Sequence, residues 1–443
     1  METVKETLKK IGATAIDMKN QIKRVATVKL SPVFSSSDDR VVTLVSSKTF
    51  ASQVTKANVI YVVKYEFDLN NKTVQLPDNC TLEFKGGKLM NGTLIGNNSI
   101  IHADRKIFDN VSVDGVWSCI GNAIWWTEGS IINKWNTPNN VDDYSGIQLA
   151  LDSSFREIVF PPRIYYTSKT LVLNKEKRLV LQGTAMANSL AMCLDTRLNT
   201  AAIYTDKDID LLLINVTENG SYPCTVSIEG GNFDVSLIRN EDNTGFTHYT
   251  HSCIKVVADD YNARIWGLTI NTNIFGTGSK SNGIGIDLNP TQANPVPNKE
   301  YNLADYGYMT QINIGGTIHD MCVGIKAASY SYNWCSGLRI DCGELFCKKA
   351  VIINNVDTDV RGLIQADHIE TSDNANALID IDSAYFTAIC ASIFDINNKK
   401  DTARYAVNIV SNGGSVQAYG SFAALCNGVS DSLCTGFTNR FHK

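Results

Sequence analysis

Residues 142–183 read DDYSGIQLALDSSFREIVFPPRIYYTSKTLVLNKEKRLVLQG, and they decide the fold. Asp142 and Asp143 stand where a helix wants its N-cap, ahead of a short amphipathic helix over Ser145–Ser153. Ile147, Leu149 and Ala150 form its apolar stripe, with Leu151 close by. A strand follows at Ile158-Val159-Phe160. Pro161-Pro162 cannot donate ladder hydrogen bonds, so they force a turn. Ile164–Tyr166, Leu171-Val172-Leu173 and Leu179–Leu181 are further short strands, the last closed by Gly183. One capped helix followed by closely spaced strands predicts a stacked parallel β-architecture whose open end the helix plugs.

Beyond Gly183 strands keep recurring, among them Thr225–Ile228, Ile254–Val257, Ala263–Ile270, Gln311–Ile314, Gly337–Ile340, Val351–Ile353 and Ala377–Ile381. The pattern Gly-Leu-x-Ile appears at both Gly267–Ile270 and Gly337–Ile340, as equivalent strands of one stack would. Asn289–Tyr308, with three prolines and three tyrosines, reads as a long loop on the flank.

On the other side of the key stretch, residues 59–118 carry Val74, Leu76, Leu82, Phe84, Leu89, Leu94 and Ile100 between Asn/Gly corners at Asn70-Asn71, Gly86-Gly87, Asn91-Gly92 and Gly96-Asn97-Asn98. Short strands between such turns predict a few solenoid rungs or a small β-domain. Trp117, Trp125, Trp126 and Trp135 follow, suited to packing at a domain joint. Residues 1–28 place Val4, Leu8, Ile11, Ala15, Met18, Ile22 and Val25 at alternating steps of four and three, an a/d seam that self-association would bury. The expected division is therefore 1–30 coiled coil and anchor, 31–58 linker or adapter, 59–118 small β-domain, 119–141 tryptophan-rich connector, 142–420 main β-region with its helix, and 421–443 carboxy-terminal cap.

The 443 residues carry a net charge of −5. That balance gives no basic face of the kind nucleic acid requires. No run approaches the ~20 apolar residues of a membrane span, and no apolar signal block opens the chain. The 12 cysteines are scattered, without the paired spacing of a zinc site, and read as buried free thiols. No cofactor and no metal is implied.

The acidic pair, the Ile-Gln-x-Ala-Leu helix, the Val-Phe-Pro-Pro strand and the Leu-x-Leu-x-Gly strand resemble the opening of the pectate-lyase-like parallel β-helix superfamily, and within it phage tailspikes and fibres. Residues 59–117 are similar to a module of fibre and spike proteins from phages of gut Bacteroidetes. The resemblance implies an all-β, right-handed parallel β-helix, with the amino-terminal helix as coiled coil and the chain as a homotrimer. It also implies a virion location after assembly in the host cytoplasm, contact with other virion proteins through the amino-terminal region, and contact with host surface polysaccharide. The function expected is a structural appendage, a tail fibre, tailspike or head fibre. The alternative is a capsular or lipopolysaccharide depolymerase.

A depolymerase needs two carboxyl groups facing one sugar. Asp357 with Asp359 and Asp380 with Asp382 are each Asp-x-Asp, and each pair shares a strand face. Their offset of 23 residues suggests adjacent rungs. Asp259-Asp260 lacks the Gly-His-Gly and Arg-x-Lys companions of polygalacturonases. His319-Asp320 and His368 with Glu370 are further acid/base candidates. For glycan binding, Tyr330, Tyr332 and Trp334 alternate along one face, and Tyr301, Tyr306 and Tyr308 lie on the long loop.

Overall fold

The computed structural model describes residues 40–129, 141–183, 200–216, 224–238, 249–258, 264–277, 282–289, 308–328, 334–354, 356, 358–366, 377–382, 388–395, 405–409, 417–423, 429–430 and 438–442. The expected coiled-coil positions Val4, Leu8, Ile11, Ala15, Met18, Ile22 and Val25 lie outside these residues, as do Trp135 and nearly all of the expected flank loop.

Every strand pairing between the named strands is parallel, in a six-stranded sheet over Val41–Trp117 and a curled sheet of 21 strands from Gly121 to His442. The alternation of apolar and polar residues sets the register, because one face of every strand is buried. In the larger sheet one inward column runs Ile158, Leu179, Ile228, Ile270, Ile314, Ile340, and the backbone register carries on to Val360 and Ile389. A second runs Tyr165, Ile203, Phe233, Ile274, Ile318, Leu345, with Ile364 and Ile393 next in backbone register. A third runs Leu171, Leu212, Ile254, Ile286, Ile325, Val351, Ile379, with Val407 next in backbone register. The chain visits the three columns in that order and then returns to the first. Members such as Ile228, Ile254 and Ile340 have no exposed surface. Each is worth about 1.5–3 kcal/mol in apolar burial. The register continues through Gln417–Ala423 and Thr438–His442, so the sheet crosses the boundary expected at residue 420.

In the smaller sheet the corners are built by asparagine. Asn58, Asn79 and Asn98 all have φ between 54° and 59°, the left-handed region that asparagine tolerates better than most residues. Their side chains stack: Asn79 Nδ2 donates to Asn58 Oδ1 at 3.1 Å, Asn98 Nδ2 donates to Asn79, and Ser118 Oγ bonds Asn98. Asn91 and Asn110 repeat the arrangement at another corner. Residues from Val41 onward already belong to this sheet, which corrects their assignment to a linker. Val41–Thr43 pairs with Ile60–Val63, and Leu44 and Phe50 are buried. A short helix, Phe50–Gln53, packs Phe50 on Phe67 at that end.

The helix of the key stretch spans Tyr144–Asp152 and buries Ile147, Ala150 and Leu151. It sits at the joint of the two sheets, touching strands Phe108–Trp117 and Leu171–Leu173, and does not plug an open end. The joint is aromatic as the tryptophans predict. Trp125 and Trp126 are buried, and Phe155 meets Trp117, Trp125 and Trp126 with ring centroids 5.4–6.2 Å apart. The acidic pair is used differently from a simple cap. Asp142 Oδ1 accepts from the Tyr144 N–H, two residues on. Asp143 makes no side-chain cap bond. Its Oδ1 accepts from the Glu128 and Gly129 N–H groups at 3.1 and 3.4 Å, clasping the segment that follows the Ala123–Trp125 turn to the start of the helix.

Gly316 occupies a corner with φ +85°, and a Cβ there would lie 2.0 Å from the Thr272 carbonyl oxygen of the adjacent strand. Gly316→Val is expected to cost at least about 2–3 kcal/mol through clash and strain, read as a lowered denaturant midpoint. A midpoint equal to wild type would show that the corner relaxes freely. A second prediction concerns Asp143, which burial pushes from 3.8 to about 6 against the pull of the two backbone donors and Lys106. Because its folded value is raised, its stabilising contribution is full below the unfolded value and lost as pH rises through the folded one. Asp143→Asn keeps the acceptor oxygen and should gain on wild type between pH 4 and 7, by up to roughly 3 kcal/mol. Denaturant midpoints measured across that range check the sign, and a constant difference would refute it.

Candidate binding face

Residues flanking the first inward column point outward. Two outward columns result, Glu157, Arg178, Ser227, Thr269, Asn313, Arg339 and Val159, Val180, Glu229, Asn271, Gly315, Asp341. The strands that bury Ile228, Ile270, Ile314 and Ile340 therefore carry a polar strip on their other side.

At one end of the strip Arg178 bridges two carboxylates. Its Nη1 donates to Glu157 at 2.9 Å, and its Nε and Nη2 donate to Glu229 at 3.0 and 2.7 Å. The Arg178 hydrogen bonds, then that of Ser227, hold Glu229 below the usual carboxylate range. At the other end Arg339 Nη2 donates to Asp341 at 2.9 Å. Between these ends the glycine at 315 leaves a depression of about 300 Å³, lined by Thr269, Asn271, Asn313, Arg339 and Asp341. A Cβ at Gly315 would reach Asn271 Oδ1 at 3.0 Å.

Trp266 stands on the same strand as Thr269 and Asn271 and is 47% exposed. It is separated from them by a corner at which Gly267, Gln311 and Gly337, in consecutive strands, all have positive φ. Beside it Ser336 Oγ donates to Thr310 Oγ1 at 3.2 Å. A large apolar ring next to neutral donors and acceptors can grip a ligand that is apolar on its faces and hydroxylated on its edges.

Of the expected glycan contacts, Tyr308 and Trp334 pair with each other in adjacent strands, at the register position two residues before Trp266. Tyr301, Tyr306, Tyr330 and Tyr332 lie outside the described residues. Of the expected carboxylates, Asp357 lies outside them, and for Asp359, Asp380 and Asp382 the backbone alone is described. The register separates the two pairs. Asp359 aligns with Arg339 and Ala388, whereas Asp380 aligns with Ile352 and Asn408. Their strands stack on different parts of Leu338–Asn354, so 23 residues is not one repeat but the step from one column to another. Asp259, Asp260, His368 and Glu370 also lie outside the described residues.

His319 is half-buried in a row of rings, 5.5 Å from Phe275 and 6.0 Å from Phe346, with Nε2 3.5 Å from Glu344. Asp287 is 6% exposed and stands in register between Lys255 and Lys326. Burial raises its pKa, the two lysines oppose the rise, and its Oδ1 has no hydrogen-bond partner. Asp287 is enclosed by protein, unlike the strip. A hollow of about 560 Å³ near Lys85 and Arg105 is also charged, but those cations bond Glu83 and Asp104 at 3.0 Å.

Sequence reasoning passed over Trp266, Asn313 and Gly315. The available signal for Trp266 was its place between Ile265 and Leu268, two inward residues. No protein-family model, curated protein or solved structure matches the chain.

Arg178→Met is expected to raise the Glu229 titration toward the ordinary carboxylate range, followed by carbon-13 NMR of the labelled carboxyl. A midpoint that stays low would mean that Ser227 alone holds it down.

Proposed function

We propose that this chain is a structural appendage of a tailed-bacteriophage virion, a tail fibre, tailspike or head fibre, whose flank contacts host surface glycans. The observation that carries the glycan contact is the exposed Trp266 ring beside the neutral hydroxyls of Thr310 and Ser336. In this reading the curled sheet is a right-handed parallel β-helix. The recurrence of three inward columns in fixed order supports that architecture. The heptad seam of residues 1–28 supports a coiled-coil anchor and a homotrimer bound to other virion proteins. Attribution to a phage rests on the resemblance of residues 59–117 and 142–183 to spike and fibre sequences.

The test is incubation of the full-length protein, after light scattering has established its mass, with capsular polysaccharides of gut Bacteroidetes. The expected result is a particle of three chains that retains polymer without shortening it. A single-chain mass would overturn the trimer. Shortening would replace the structural reading with a depolymerase, new reducing ends alone marking hydrolysis and ultraviolet absorbance marking elimination.

A further inference from the structure

We infer that the depression at Gly315 is a site for a carboxylate, so that the glycan bound on this flank is an acidic one. The inference rests on the glycan-contact reading above and adds a second contact, apart from Trp266, and the charge class of the ligand.

A guanidinium carries five N–H donors in a planar fork, and on this strip one fork already serves two carboxylates. Arg178 donates to Glu157 at 2.9 Å and to Glu229 at 3.0 and 2.7 Å, and both acids come from neighbouring strands. Arg339 occupies the same outward column but is supplied differently. Among the described residues it donates once, from Nη2 to Asp341 at 2.9 Å, and its side chain is 50% exposed. The preceding strand sets Glu157 against Arg178, whereas it sets Asn313 against Arg339. The following strand carries Asp359 at the register of Arg339 and Arg361 at that of Asp341, one charge of each sign.

Net charge does not choose the ligand, because Arg339 and Asp341 cancel. Hydrogen-bonding capacity does. The space of about 300 Å³ is lined by Thr269, Asn271, Asn313, Arg339 and Asp341. The two amides and the threonine hydroxyl make no side-chain hydrogen bond with other described residues. Together with the unspent guanidinium hydrogens they leave a surplus of donors over acceptors. A carboxylate only accepts and so uses that surplus, whereas every hydroxyl must also find an acceptor for its own hydrogen. Its bonds to a guanidinium are charge-assisted, about twice as strong as neutral ones. Asp341 repels an incoming anion, but the guanidinium shared between the two offsets this, as Arg178 does between Glu157 and Glu229.

The experiment titrates the full-length protein with uronate and sialate oligosaccharides, each paired with its carboxyl-reduced counterpart, at low and high salt. Arg339→Gln and Asp341→Asn are compared with wild type. Both sites are exposed, and circular dichroism melts establish that the variants are folded. The expected result is an acidic oligosaccharide bound about tenfold more tightly than its reduced counterpart and weakened by salt. Arg339→Gln should weaken it about tenfold, and Asp341→Asn should strengthen it by freeing the fork. Opposite signs at neighbouring residues are a readout that a merely structural role would not give. Equal binding of the paired oligosaccharides would overturn the inference and leave the glycan reading intact. So would acidic binding that survives Arg339→Gln unchanged, or an Asp341→Asn variant that binds no tighter. Retention of no glycan, acidic or reduced, would overturn both.

Discussion

The structure depends on the parallel, in-register stacking of apolar side chains from strands far apart in sequence. Ile228 sits on Leu179 and under Ile270, and no two of the three belong to the same local segment. A slip of one residue in any strand would put its aliphatic row outside and its polar row in the core. The same register that buries Ile270 and Ile314 turns Thr269, Asn271 and Asn313 outward. The polar strip is thus a by-product of core packing, and its columns share the register of the core behind them.

Between the two sheets the chain cannot simply continue the stack, because its strands end at Trp117 and resume at Gly121–Asn122 and Glu157. Aromatic bulk fills that break: Phe155 meets three tryptophans, and the Tyr144–Asp152 helix closes the side. Asp143 then fixes the geometry by taking two backbone donors from the segment after the Ala123–Trp125 turn, a contact that a buried carboxylate makes at a cost in desolvation. Lys177, buried at the first residue of its strand, donates to the Ser153 and Phe155 carbonyls and holds the exit from the helix.

Much of this was legible in the chain. The Leu-Val-Leu runs at 171–173 and 179–181 identified strands correctly, and Asn70-Asn71, Asn91-Gly92 and Asn98 marked corners because asparagine and glycine accept left-handed backbone. Pairing partners were less legible. The step from Ile158 to Leu179 is short and that from Leu179 to Ile228 more than twice as long, since loops between columns vary freely while the columns do not. For that reason the two Asp-x-Asp pairs, which look one repeat apart, align with different columns. Gln311 adopts positive φ with no local signal, at a corner it shares with Gly267 and Gly337, and Asp320 does so where the register against the next strand shifts between His319 and Met321. For Trp266 the one signal was its place between Ile265 and Leu268, readable only once those two neighbours are known to fall inward.

The direction of the backbone hydrogen bonds has a mechanical consequence. They run between strands, along the stacking direction, so a pull on the two ends of the stack loads successive strand interfaces in series. In such an arrangement strength is not a sum. The interface with the fewest bonds yields first, and a tether drawn taut would peel from that layer while the remainder kept its register.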